Sequence, residues 1–276
     1  MNILHGTAEE IGLRPSMEDA NAIRDIRDED LFSAEVYDGH GGREAAYAAS
    51  EMLTPYFLSL LRPERSKPAR DRRADRELLR ETYLAVDRYI VDRGIKSGTA
   101  AATLHVFGDR FLAGNAGDSR VIIGARRDAV QLTVDHKPDL PVERSRIESL
   151  GGQVISYGVP RVQGVLAMSR ALGDPGLKPY VSPEPRIVEG LLGSENDFVV
   201  VACDGVWDVL TPHDVIVAVR DAGGDPQSAA ESIVSKALSS GSTDNITVIV
   251  LDLRQRTAQL ARRKMETLAV LDYANE

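Results

Sequence analysis

Strands that come in runs, helices that come in pairs and an apolar share of 43% predict an α+β layered domain for this 276-residue chain. Strict β-α alternation would point instead to a doubly wound parallel sheet. Charged residues make up 27%, and with that apolar share the chain has ample material for a core and little tendency to disorder. The length allows one large domain or two small ones, and layered sandwiches often reach this size as a single unit.

The first strand signal is Leu31–Tyr37. Arg62–Arg76 holds seven basic residues, three acids and two prolines, and reads as a solvated loop between two helices. Leu79, Tyr83, Val86 and Ile90 recur at helical steps and make one apolar face. Leu104–Phe107 and Phe111–Ala113 read as strands joined by a hairpin turn at Asp109-Arg110, with Val121–Ile123 as the next strand. Pro141 and Gly151 frame a second helix, since proline suits a first turn and glycine a left-handed cap. Phe198–Cys203 reads as a buried strand, and as the longest strongly apolar run it is too short to cross a bilayer. Asp225-Pro226 opens a third helix that carries Ala229, Ile233 and Ala237 and closes at Gly241, and Ile246–Leu251 is the last strand. Ala261, Met265, Leu268 and Leu271 then share one helical face. Residues 1–253 are therefore expected to form the domain. Residues 254–276 are expected to form an amphipathic helical tail, docked on it or continuing towards a partner or another domain.

Acids outnumber bases by 42 to 33, a net charge of −9, which argues against a nucleic-acid or anionic-membrane binder. The single cysteine, Cys203, rules out an internal disulfide and a CxxC metal clip. Met1-Asn2-Ile3-Leu4-His5 lacks the basic start and apolar stretch of a secretory signal, so a soluble, cytoplasmic protein is expected.

The placement of aspartates carries the chemistry. Asp38 follows directly on Leu31–Tyr37, Asp204 on Phe198–Cys203, Asp118 comes just after Phe111–Ala116, and Asp244 stands immediately before the last strand. Gly39, Gly117, Gly205 and Gly241 lie beside them and let the backbone turn sharply near a ligand. One aspartate next to a glycine is usually a turn residue or a helix cap. Several at the mouths of one sheet system would be costly to bury together unless cations neutralise them. Oxygen-only ligands select hard ions, Mg²⁺ or Mn²⁺, and the five scattered histidines give no zinc spacing. Arg14 stands four residues before the acidic pair Glu18-Asp19; its fork matches phosphate oxygens, and a surface ion pair explains the spacing equally well.

Eight segments in order resemble the metal-dependent serine/threonine protein phosphatases of type 2C, over roughly Gly6 to Leu253. They are Arg14-Pro15-Ser16-Met17-Glu18-Asp19-Ala20, Val36-Tyr37-Asp38-Gly39-His40-Gly41-Gly42, Ser97-Gly98-Thr99-Ala100 and Ala113-Gly114-Asn115-Ala116-Gly117-Asp118-Ser119-Arg120. The series continues with Asp135-His136-Lys137-Pro138, Ser169-Arg170-Ala171-Leu172-Gly173-Asp174, Cys203-Asp204-Gly205-Val206-Trp207-Asp208 and Ser242-Thr243-Asp244-Asn245-Ile246-Thr247. The resemblance implies a four-layer α-β-β-α sandwich, two antiparallel sheets flanked by helix pairs, with metals at one end between the sheets. It implies that Asp38 bridges two Mg²⁺ or Mn²⁺ ions, that the Gly39 carbonyl joins one, and that Asp204 and Asp244 bind the other. Glu18 resembles an acid near these ligands acting through water, and Asp118 a position that holds a weaker third ion together with Asp204. Asp174 and Asn245 fall inside motifs without an assigned role. The implied reaction is hydrolysis of phosphoserine or phosphothreonine by a water between the ions. Arg14 would clamp the phosphate and His40 protonate the leaving alkoxide. The implied partner is a phosphoprotein substrate, and the implied catalytic core is monomeric. Asp135-His136-Lys137-Pro138 reads as structural rather than catalytic, and the flap between Asp135 and Asp174 is where substrate choice is expected.

Rival chemistries lack their residues. No arginine follows Cys203 within Asp204–Val209 to cradle phosphate for a cysteine phosphatase. Gly114-Asn115 is followed by Ala116 where a calcineurin-like metallophosphatase needs histidine, and no Gly-x4-Gly-Lys-Ser/Thr run supports a P-loop enzyme. A pseudophosphatase-like binding or regulatory module is the alternative from another class. It should have lost a metal aspartate or the phosphate arginine, whereas Arg14, Asp38, Asp118, Asp204 and Asp244 are all present.

Overall fold

The computed structural model describes residues 3–125, 128–256 and 258. The chain opens with β1 (Leu4–Glu10), β2 (Ala20–Ile26) and β3 (Leu31–His40), followed by α1 (Glu44–Arg65) and α2 (Asp75–Asp92). Then come β4 (Gly98–Phe107), β5 (Arg110–Ala116), β6 (Arg120–Ala125) and β7 (Asp128–Gln131). A short helix α3 (Pro141–Ser149) leads into β8 (Val154–Tyr157), β9 (Val159–Val162), β10 (Leu172–Gly173) and β11 (Arg186–Leu191). The last third holds β12 (Asn196–Ala202), α4 (Asp204–Trp207), α5 (Pro212–Asp221), α6 (Pro226–Ser239) and β13 (Ile246–Asp252).

Two large antiparallel sheets result. One runs β1-β13-β12-β6-β7; the other runs β11-β5-β4-β3-β2, with β10 added on β4. Strand side chains alternate between faces, so each sheet serves two cores at once. On β3, Phe32, Ala34 and Val36 join the core between the sheets, while Leu31 and Tyr37 face α1 and α2. On β12, Val199 and Val201 face inward, as does Cys203 just past its end, while Phe198, Val200 and Ala202 pack under α5 and α6. The layers are therefore helix pair, sheet, sheet, helix pair, with the expected α-β-β-α order. Proline and aspartate start the outer helices: Thr211 and Asp214 form a capping box on α5, and Asp225 caps α6 by accepting from Ser228 N–H.

The expected strands and the three expected helices are present, with shifts that have physical causes. The longest helix, α1, is expected only as the helix before the Arg62–Arg76 loop, with no bounds, because Pro55 and Pro63 lie inside it and speak locally against a helix. Its last turn takes in Arg62–Arg65, so the expected loop shrinks to residues 66–74, gathered by Glu64, which pairs with Lys67 and Arg73 at 2.9 Å each. The hairpin turn falls on Gly108-Asp109, since Arg110 already pairs with Phe107. Cys203 is buried, as the reading of Phe198–Cys203 implies, and Trp207 is buried too. The tail assigned to 254–276 lies, beyond its first residues, outside the described residues. Phe57 on α1 is fully buried against His105 and Phe107, with ring centroids 5.0 and 6.2 Å away. Phe57→Ala should therefore cost about 3–5 kcal/mol, measured as a lowered urea midpoint without loss of cooperativity.

Candidate metal centre and substrate cleft

The pleat of β3 delivers the first carboxylate. Asp38 continues the row Phe32, Ala34, Val36, so it reaches the open end of the core between the sheets. Gly39 follows because any Cβ there would collide with the backbone oxygen of Glu18. From the other sheet, β12 ends at Ala202 and Asp204 opens α4, its N–H 3.5 Å from Asp38 Oδ2. Asp118 sits in the turn between β5 and β6. One oxygen from each of Asp38, Asp118 and Asp204 lies within 4.8 Å of the others. Asp19, Asp38 and Cys203 form a second such group.

Asp38, Asp118 and Asp204 floor a cleft of about 720 Å³, whose walls include Arg14, Glu18, Gly39, His40, Asp208 and Asp244. Lys137 Nζ donates to Asp118 Oδ2 at 2.5 Å, while Asp118 Oδ1 is buried with no hydrogen-bond partner. Arg14 Nη2 donates to Asp244 Oδ2 at 2.5 Å from the exposed rim. Glu18 is held by Asn245: its N–H donates to Asn245 Oδ1 at 2.8 Å, and its carboxylate accepts from Gly42 N–H and Ser16 Oγ. His40 Nε2 lies 2.9 Å from Asp174 Oδ2.

The electrostatics are those of crowded acids. Burial pushes Asp38 well above the usual carboxylate range, and the charges of Asp204, Asp19 and Asp118 push it further. Burial and then Asp118, Asp208 and Asp244 push Asp204 up to about 8, although Lys137 opposes the shift. Burial also raises Asp19 to about 6, against the hydrogen bond it accepts from Thr247. The Cys203 thiol is driven up by burial and by Asp19, Asp38 and Asp204.

The structure thus brings Asp38, Asp118 and Asp204 together and places Glu18, Gly39, Asp244, His40 and Arg14 on the same cleft. Asp244 and Glu18 stand outside the tight cluster, each with another partner. Sequence reasoning passed over Asp19, Asp208 and Lys137. Asp208 was findable: it is four residues after Asp204, one helical turn away on the same face. In Asp135-His136-Lys137-Pro138 the first two residues are structural, as expected. Asp135 pairs with Arg120 at 2.7 Å, and buried His136 accepts through Nδ1 from Gly117 N–H. Lys137 is the exception, since it reaches into the cleft.

Two antiparallel sheets that carry acids to one end of their shared core define a layered α+β protein with an acidic cleft. The protein phosphatase 2C family profile matches residues 5–246. "Probable protein phosphatase 2C 59" of Oryza sativa subsp. japonica is 37% identical over 265 residues, 94% of this chain and 78% of the rice protein. "Probable protein phosphatase 2C 11" of Arabidopsis thaliana is 39% identical over 245 residues, 87% of this chain and 64% of that one. Among solved structures, a sex-determining protein of C. elegans superposes with a TM-score of 0.82 at 28% identity, covering 92% of this chain and 65% of the other. A serine-threonine phosphatase 2C of Toxoplasma gondii shares the fold, with a TM-score of 0.81 at 23% identity over 91% of this chain and 94% of that one. The chain belongs to the protein phosphatase 2C family of serine/threonine protein phosphatases. Among the described residues, no helix is long and apolar enough to cross a membrane.

The crowding has a measurable cost when the protein is stripped of cations. Asp204 binds a proton more readily folded, at about 8, than unfolded, at 3.8. The stability it contributes is complete below about pH 4 and is lost as the pH rises through about 8. In chelator-treated protein, Asp204→Asn should raise stability at alkaline pH by about 1–3 kcal/mol and flatten the pH dependence, read from urea midpoints of variant and wild type across that range.

Proposed function

We propose that this protein hydrolyses phosphoserine and phosphothreonine directly, without a phosphoenzyme, in a metal-dependent catalytic domain spanning residues 1–253. The observation that carries the reading is the group Asp38, Asp118 and Asp204. Three acids crowd together there, and one buried oxygen, Asp118 Oδ1, has no protein partner. Carboxylates without imidazole or thiolate suit a hard cation, Mg²⁺ or Mn²⁺. Asp38 would be shared by two ions, with Gly39 and Glu18 serving one and Asp204 and Asp244 the other. Asp118 with Asp204 would hold a weaker third. Bound there, such cations supply Lewis acidity and a water nucleophile at neutral pH.

The chain's own residues do the rest. An acidic cleft repels a phosphate dianion until its charge is balanced, so substrate binding is tied to metal loading. Arg14, more than half exposed at the rim, binds phosphate oxygens with its planar fork. His40, on the cleft wall, holds the proton that the leaving seryl or threonyl oxygen requires. The β8–β9 hairpin sets Val159, Pro160 and Arg161 against the cleft, so residues on the substrate beside the phosphorylated one meet the flap.

Hydrolysis of p-nitrophenyl phosphate and of a phosphothreonine peptide should appear with added Mn²⁺ or Mg²⁺ and vanish with EDTA. Asp38→Asn and Asp204→Asn should each lower turnover by at least about 10²-fold while the chain stays folded by circular dichroism. Silence of a folded, metal-loaded wild type would favour the binding-module reading. Arg14→Ala should raise KM by about 10–100-fold and leave the metal concentration for half-maximal rate nearly unchanged. Equal loss of both would make Arg14 structural.

A further inference from the structure

His40 is the last residue of β3, and its register partner on β4 is Gly98. Gly98 in turn pairs with Gly173 on β10, which brings Asp174 beside the imidazole across three strands. His40 Nε2 lies 3.0 and 2.9 Å from the two Asp174 oxygens. The carboxylate lies directly over Gly98, where any Cβ would overlap it, so the glycine is what leaves room for the pair. Asp174 is buried, and among the described residues its carboxylate bonds to nothing except His40. It does not cap the short helical turn that follows it. Its backbone is left-handed, with φ +52°, pinned by its N–H to Ser97 O at 3.3 Å and by Gly173 N–H to Asp87 Oδ1 at 2.8 Å. The ring's other nitrogen, Nδ1, is buried and has no partner. His40 lines the cleft, and a buried polar atom without a partner calls for a functional reason.

We infer that Asp174 is the positioning residue for His40: it accepts a hydrogen bond from Nε2–H, fixes the ring, and leaves Nδ1 as the nitrogen whose proton reaches the leaving group. The inference rests on the proposed hydrolysis and deepens it by naming what prepares the acid. In that step the bond between phosphorus and the seryl or threonyl oxygen breaks, and the oxygen keeps the electron pair and takes the proton from His40 Nδ1. The attacking water forms the new P–O bond and gives a proton to solvent, and solvent reprotonates the ring. The products are the free hydroxyl and hydrogen phosphate.

A purely structural Asp174 would serve only its left-handed backbone, which asparagine tolerates as well as aspartate. Asp174→Asn therefore separates charge from conformation. Phosphothreonine, whose alkoxide leaves poorly, needs the acid; p-nitrophenolate leaves readily without it. Asp174→Asn should lower kcat on a phosphothreonine peptide by about 10–100-fold and by at least tenfold less on p-nitrophenyl phosphate. Adding His40→Ala to it should bring little further loss on the peptide. Independently of turnover, long-range ¹H–¹⁵N correlation of the Mg²⁺ form in alkaline buffer should show His40 protonated at Nε2, with that preference lost in Asp174→Ala. Equal loss on both substrates, additive losses in the double variant, or a wild-type ring protonated at Nδ1 would overturn the inference alone. Absence of metal-dependent hydrolysis by the wild type would overturn the proposed function and the inference with it.

Discussion

Mutual repulsion among carboxylates at the end of the core between the two sheets governs this structure. Asp38, Asp118 and Asp204 are delivered by separate turns and strand ends, and nothing in their own neighbourhood favours gathering them. They are held by the hydrophobic energy of distant packing: the shared core of β3, β4, β12 and β13, and the two helix pairs clamped on the outer faces. Lys137 and Arg14 offset part of the charge by pairing with Asp118 and Asp244. Neither neutralises the pair Asp38 and Asp204, which keep strongly raised proton affinities. Local instability of this kind is what a binding centre needs, since the ligand then makes good what the protein lacks.

A second buried acid shows the contrast. Glu35, three residues before Asp38 and on the opposite face of β3, is fully buried beneath α1. Its carboxylate accepts hydrogen bonds from Ser33, Tyr37 and Thr54 and pairs with Arg24 at 3.3 Å. Burial still raises its proton affinity, but every neighbour is a donor and no other acid lies among the causes of its shift. Asp118 has one oxygen without any partner, and Asp38 faces other acids. A satisfied buried carboxylate fixes a helix to a sheet; an unsatisfied one in a cleft is a group that could hold a cation.

The flap is attached by the same logic at its base. Buried Glu143 on α3 accepts from Arg146 and Ser169 at 2.9 Å and pairs with Arg170, which also donates to Glu184 O. Burial opposes its ionisation, but these donors hold its carboxyl down to about 2, so the tie persists across the ordinary pH range. The base of the flap is thereby fixed to the body, while the β8–β9 hairpin pairs only with itself among the described strands. Shape at the cleft wall can change there without disturbing the acids on its floor.

Much of this was readable along the chain. Short runs rich in apolar and β-branched residues announced the strands, proline and glycine announced two of the helix boundaries, and aspartates placed at strand ends announced the acidic centre, because each of these is a local relation between a residue and its neighbours. Glycines beside the acids announced close backbone approach. What the sequence could not show were relations across the fold. Arg14 with Asp244 and His40 with Asp174 are separated by 230 and 134 residues, and only the sheet register sets them together. Long α1 was hidden for the complementary reason: its two prolines speak against a helix locally, and packing on β3 and α2 overrules them. The sequence by itself determined which groups are available and where each strand offers them. Tertiary structure alone decided which acids share one charge problem and which are already satisfied, because Coulomb repulsion and desolvation depend on distance and burial rather than on order along the chain.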